Sequence, residues 1–388
     1  MTYDVAVVGL GAAGSAAAYE LARRGCRVLG VDRFEPPHAQ GSSHGRTRII
    51  RQAYHEGALY VPLVQRAWAR WRELEAAAGG APLLRQTGAV MIGAADGALV
   101  AGARESCARH GLPHEVLPAD EARRRFPTFR VPDAQVALVE ANAGYLLPER
   151  CIEAQLRLAR AHGATLRTGE RALGWRAGAG GIHLTTDAGA YDAGRLVLAA
   201  GAWAGELLDP GGAAGFALPL AVERQVVYWF EPAAGRAAAF APERCPVYLW
   251  EYDPGHFFYG FPDAGDGVKV GLHHDGEPTT AEAVRRDVGA AEASAMRALL
   301  ARLMPDAAGR LLDASVCLYT NTPDEHFVID TLPHEPRVIL ASACSGHGFK
   351  FASALGEVLA DLATTGRSAF DLTPFRATRF GPHSRVVQ

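Results

Sequence analysis

Lysine is almost missing from this chain of 388 residues: only Lys269 and Lys350 occur, so 37 of the 39 basic residues are arginine. Cysteine is sparse as well, with six residues at positions 26, 107, 151, 245, 317 and 344, no CxxC pair and no Cys/His spacing that suits a metal. In a chain of this size they read as reduced thiols, which excludes a disulfide-built scaffold. No apolar run approaches the ~20 uninterrupted residues of a spanning helix. The opening MTYDVAVVGLGAAG carries an Asp and no cationic flank, unlike a secretory signal. An excess of either charge is lacking too: 39 basic residues against 42 acidic ones leave a net charge of −3. The chain thus has no electrostatic footprint for nucleic acid or an anionic membrane. A cytoplasmic protein is expected.

What is present is apolar material. Hydrophobic residues make up 49% of the chain and charged residues 21%, enough for a packed core and too apolar for a disordered chain. At roughly 150 residues per domain, the length suggests two domains or one large elaborated one. The order of elements begins with a strand-like run Tyr3–Val8, a Gly-rich turn, an Ala-rich helix to about Arg24 and a second strand ending at Asp32. Residues 33–47, RFEPPHAQGSSHGRT, predict a loop of the length that usually carries function. Apolar positions 59, 63, 64, 68, 71 and 74 predict a helix, and further helices are expected at 150–162, 279–303 and 346–365. Short strands are expected near 165–185 and a buried strand over 195–200. From 224 to 273 the segments RQVVYWF, PVYLWEY, HFFYGF and VKVGLHH predict strands, the last two joined as a hairpin by PDAGDG. The expected class is α/β (α+β), with a β-rich segment inserted between pieces of a nucleotide-binding domain.

Gly9-Leu10-Gly11-Ala12-Ala13-Gly14 is a GxGxxG turn between a strand and a helix, where a pyrophosphate approaches the helix N-terminus. Asp32 ends the next strand, 18 residues after Gly14, placed to accept ribose hydroxyls. The spacing does not choose between NAD and FAD. In the following loop Arg46, Arg48 and Arg51 accompany Ser42, Ser43 and Thr47. They suit a flavin edge, a carboxylate, or simply a solvated basic loop. Strand alternation puts Lys269, Gly271 and His273 on one face, opposite the strand bearing Tyr259; the alternative is an exposed lysine on a sheet edge. Lys350, in Ser345-Gly346-His347-Gly348-Phe349-Lys350, enters a helix in its first turn, where a cation opposes the dipole unless an anion sits beside it. Cys317 reads as inert core, the usual fate of a cysteine.

Four blocks, PPHAQGSSHGRTRIIRQAYHEG, FYGFPDAGDGVKVGLHH, CLYTNTPDEHFVIDTLP and SGHGFKFASALGE, resemble the family of monomeric sarcosine oxidase and N-methyltryptophan oxidase, within the D-amino-acid-oxidase-like flavoproteins. The resemblance spans essentially the whole chain, and the tail AFDLTPFRATRF looks most like the N-methyltryptophan oxidase branch. It implies a discontinuous Rossmann-like FAD-binding domain at 1–85, 146–220 and 315–388, with a mainly antiparallel-sheet substrate domain at 86–145 and 221–314. Carried over residue by residue, it implies a thioether from Cys317 to the flavin 8α-methyl and oxygen activation at Lys269. Arg51 and Lys350 grip the substrate carboxylate, Tyr259 and His273 stand beside the amine, and Arg48 lies against the flavin ring. Further cofactor contacts are implied at Gly9, Gly11, Gly14, Asp32, Arg33, Ser42, His44, Thr47, Ala172, Gly201, Trp203, Gly346 and Gly348, with Lys350 shared between cofactor and substrate. One departure is Ser43-His44-Gly45-Arg46, where relatives often carry His-His-Gly-Asp. The implied reaction is O₂-dependent oxidation of the secondary amine of an N-methyl or N-alkyl amino acid, giving an imine that hydrolyses, and H₂O₂. A cyclic imino acid (pipecolate- or proline-type) oxidase and a biosynthetic tailoring amine oxidase are the alternatives. A monomer without nucleic-acid or membrane partners is expected.

Overall fold

Two patterns of apolar residues build two sheets, seen in a computed structural model that describes residues 2–209 and 216–381. In Thr2–Val8 every residue from Val5 onward is buried, as in a parallel strand covered on both faces. It pairs in parallel with Val28–Asp32 on one side and Ala190–Leu198 on the other. Thr165–Thr168 and Glu335–Ser342 extend this parallel core outward. The antiparallel strand Val328–Leu332 and the hairpin Ala172–Gly178/Gly181–Thr186 complete eight strands. Helix Ala12–Arg23 packs between Pro148–Ala161 and Ala352–Thr365. The approach is close: a Cβ on Gly356 would lie 2.8 Å from the Ala16 carbonyl oxygen.

The second sheet has nine strands and is antiparallel except where Ala89–Gly93 meets Val247–Asp253. Its spine is Ala221–Phe230, which pairs along its length with Leu311–Asn321 on one side. On the other side it meets Val268–His273 and Glu277–Thr279. The expected hairpin forms, His256–Gly260 against Val268–His273, with Tyr259 opposite Gly271. Val268 and Val270 point into an aromatic core with Trp250, Phe258 and Phe230, backed by helix Ala290–Leu303. Alternation therefore turns Lys269 and His273 to the other face. A three-stranded sheet of Arg48–Ile50, Gly144–Leu146 and Leu84–Gln86 carries the arginine-rich segment beside that face.

Three expectations change. The helix expected over 346–365 starts only at Ala352, and Lys350 lies in the single 3-10 turn Phe349–Phe351 that leads into it. The helix expected over 279–303 starts only at Ala290. Buried Arg224 donates to the carbonyls of Arg285 (2.7 Å) and Asp287 (2.8 Å), which takes those acceptors away from any helical ladder. The boundary placed at 315 runs through the middle of strand Leu311–Asn321, so Cys317 and Tyr319 belong to the nine-stranded sheet. No helix among the described residues is long and apolar enough to cross a membrane.

Candidate active site

Helix Ala12–Arg23 opens at the Gly-rich turn with no capping bond from its N-cap residue Gly11 and no acidic residue in its first turn. Its first N–H groups and positive dipole end therefore suit an anion. Gly9 has φ +86°, and a Cβ there would lie 2.4 Å from the Ala199 carbonyl oxygen; one on Gly14 would lie 1.7 Å from that of Gly9. At Gly11 the nearest atom to such a Cβ is Ser43 Oγ at 3.5 Å, so this is the open side of the turn. Asp32 is fixed by accepting the N–H groups of Leu10 (2.7 Å) and Phe34 (2.8 Å), which leaves lone pairs for a ribose. Thr320 Oγ1, buried without a protein partner, lines the same cleft. These groups fit a dinucleotide.

One continuous cleft collects most of the expected residues: Gly9, Gly11, Asp32, Arg33, Ser42, Arg48, Ala172, Gly201, Trp203, Cys317, Gly346 and Gly348, then Arg51, Tyr259, His273 and Lys350. Gly14, His44, Thr47 and Lys269 lie behind its wall. Lys269 is only 2% exposed, so it is no sheet-edge lysine. Its ammonium donates to Gly45 O (2.6 Å), Thr47 O (2.8 Å) and Thr47 Oγ1 (3.1 Å), tying down the loop that carries Arg48. Burial, then repulsion from Arg48, holds its pKa well below the usual lysine range. Arg48 reaches Ser42 O at 2.7 Å and Cys317 Sγ at 3.4 Å. Burial pushes the Cys317 thiol up, but Arg48, His44 and Lys269 outweigh it and bring its pKa down to about 6. That is a thiolate at neutral pH. The departing Arg46 points away to the surface, pairing with Asp313 and lying 4.3 Å over the Trp229 ring.

At the far end of the cleft stand two buried cations. Arg51 donates to Ala53 O at 2.9 Å and to Glu56 at 2.6 and 2.7 Å. Burial raises the Glu56 carboxyl, but Arg51 and His55 hold it well below the usual range. Lys350 donates to His347 O at 2.9 Å and Tyr54 Oη at 3.3 Å. Burial, then Arg51, lowers its pKa to about 7. Beside them His273 Nδ1 lies 3.1 Å from Tyr319 Oη, whose hydroxyl in turn faces that of Tyr259. Burial first, and His274 next, keep His273 well below its ordinary pKa, hence neutral. The sequence reading missed Tyr54, Glu56 and Tyr319. Tyr319 had a signal: two residues beyond Cys317 on one strand, it shares that residue's face.

A family model described as FAD dependent oxidoreductase matches residues 4–362. The chain belongs to that family. This oxidoreductase is 44% identical over 97% of its length to monomeric sarcosine oxidase of Streptomyces avermitilis, covering 98% of that relative. It is 38% identical over 98% of its length to N-methyl-L-tryptophan oxidase of Salmonella dublin, covering all of it. Among solved structures, NikD, described as an unusual amino acid oxidase essential for nikkomycin biosynthesis, superposes with TM-score 0.84 at 27% identity, 97% of each chain being covered. FAD is thus the dinucleotide that the oxidoreductase's cradle serves. Its tail packs Phe375 against Tyr60 (5.3 Å) and Phe327 (5.7 Å), and among the described residues it supplies none to the cleft, so the likeness of AFDLTPFRATRF to one branch says nothing of pocket shape.

Proposed function

We propose that this oxidoreductase removes two electrons from the secondary amine of an N-methyl or N-alkyl amino acid, giving an imine that water hydrolyses to amino acid and aldehyde, and H₂O₂ from O₂. The observation that carries the reading is the pair of buried cations, Arg51 and Lys350, facing neutral His273, Tyr259 and Tyr319 across one cleft. Bound FAD supplies the acceptor for the substrate's electrons and passes them to O₂. The protein's part is position and charge. Arg51 and Lys350 fix the substrate carboxylate and with it the carbon next to nitrogen. An amine gives up electrons only with its lone pair free. Two cations nearby disfavour an ammonium, partly offset by the carboxylate they hold. The eight-stranded sheet and its helices form the cofactor domain in this reading, and the nine-stranded sheet roofs the substrate.

A peroxide-coupled panel of sarcosine, N-methyltryptophan, pipecolate and proline tests the substrate class. Turnover of the N-methyl amino acids above the cyclic ones is expected. Preference for pipecolate or proline favours the cyclic imino acid reading instead, and substrate oxidation without H₂O₂ makes the protein a dehydrogenase.

Cys317 is the proposed covalent anchor, its thiolate held ready by Arg48. Acid-precipitated wild type is expected to stay yellow, with the mass of FAD on the peptide containing Cys317, whereas Cys317→Ser should release its flavin into the supernatant. Free flavin from the wild type would sink the assignment.

The clamp also predicts a pH dependence. Lys350 carries its proton below about pH 7 and loses it above. Binding of methoxyacetate, a carboxylate with no amine to titrate, should therefore weaken as pH rises through that value and level off once Lys350 is neutral. Flavin-absorbance titrations of the holoenzyme measure this, and Lys350→Met should flatten the profile.

A further inference from the structure

Tyr54 is fully buried between the two cations of the clamp. The Arg51 guanidinium carbon lies 4.5 Å from its ring centroid, and Lys350 Nζ lies 5.2 Å from the same centroid and 3.3 Å from the hydroxyl. Two like charges repel, while an aromatic face attracts each of them. The direction of the hydroxyl's bonds is fixed from its other side. His347 Nε2 is 3.0 Å from the Glu325 carbonyl oxygen, which only accepts, so Nε2 carries the hydrogen and Nδ1 is bare. The Tyr54 hydroxyl, 2.6 Å from Nδ1, therefore donates to it, and its oxygen accepts from Lys350. His347 O takes a second Lys350 N–H at 2.9 Å. One N–H of the ammonium is left for the cleft. Burial, the largest influence on His347, lowers its pKa to about 3, so the chain keeps its direction at any working pH.

We propose that Tyr54 is a positioning residue for the carboxylate clamp: its ring seats Arg51, and its hydroxyl, oriented by His347, aims the free N–H of Lys350 at the substrate carboxylate. The assignment rests on the amino acid oxidase reading above. The charged and titratable groups around Lys350 are Arg51, Glu56, His55, His347 and Tyr54 itself. The backbone of Tyr54 is pinned by Ser106 Oγ at 2.5 Å, and its ring packs on Tyr60 and Phe351, so loss of the hydroxyl alone should leave the ring in place.

The test is Tyr54→Phe holoenzyme titrated with methoxyacetate and, separately, with methoxyacetamide, across about pH 6 to 9. Affinity for the carboxylate should fall about tenfold, the worth of the one charge-assisted hydrogen bond that Lys350 no longer aims at the ligand. The pH at which binding weakens should move below the wild-type value, since the ammonium has lost an acceptor. Amide binding should not change. A merely structural role would lower Tm, weaken both probes alike and leave the midpoint where it was. Unchanged carboxylate affinity and midpoint in Tyr54→Phe, with a wild type that prefers the carboxylate, overturn the Tyr54 assignment alone. A wild type that binds both probes equally overturns the clamp beneath it. Should Tyr54→Phe not fold, His347→Phe removes the acceptor of the Tyr54 hydroxyl and should move the midpoint the same way; no movement overturns the proposal.

Discussion

Lys269→Met is expected to slow reoxidation of the reduced flavin by O₂ about 10²- to 10³-fold, the effect of removing one preorganised charge-stabilising group. Anaerobic reduction by substrate should change little. O₂ takes its first electron as superoxide, and a fixed ammonium is worth most where charge appears only in that step. The structure adds a competing role. Lys269 spends its three N–H bonds on Gly45 and Thr47, and methionine leaves those buried acceptors empty at about 1–3 kcal/mol each. If that tether is the whole role, both half-reactions slow together and Tm falls. Stopped-flow measurement of the two half-reactions separates the cases. A pH series gives a second check: burial and Arg48 depress the Lys269 pKa, so it is charged only below its lowered value. Reoxidation of the wild type should then slow as pH rises through it, and the variant should show no such slope.

Lys350→Met is expected to lower kcat/KM for a carboxylate-bearing substrate by roughly 30- to 5,000-fold, the cost of removing one partner from a buried charge-assisted pair. It is the cleaner of the two clamp substitutions. Arg51 also neutralises Glu56, so Arg51→Ala strands a buried carboxylate and mixes a folding defect with the loss of binding. The partners of Lys350 are a carbonyl and a hydroxyl, which tolerate its loss better. Kinetics with sarcosine and with its amide check the idea. The variant should lose the preference for the acid, and an equal fall for both substrates would remove Lys350 from carboxylate binding.

How far these residues were legible follows from the kind of information each needs. The Gly9–Gly14 turn and Asp32 were readable because their chemistry lies within one strand–turn–helix–strand unit. The Val268–His273 hairpin was readable from alternation. Scarcity singled out both lysines before any contact was known. Glu56 gave no such signal: five residues beyond Arg51 in an irregular stretch, it has no periodicity to place it on the guanidinium. Tyr54 was invisible for another reason, its partner His347 being 293 residues away. The late start of helix Ala290–Leu303 was hidden likewise, because Arg224 on a distant strand takes up the carbonyls that a local pattern assigns to the helix.

Both side-chain amines of the chain are buried, Lys269 at 2% and Lys350 at 6% exposure. Acylating reagents of the active-ester type thus find no lysine on the outside of the folded protein, and coupling to an amine-reactive resin through a side chain should fail. Lys350 is the exception with a use. Uncharged above about pH 7 and facing the cleft, it is the one lysine a small active ester can reach from within. In the proposed reading a bound carboxylate should block its acylation, and the extent of acylation read by mass spectrometry would then gauge occupancy without turnover.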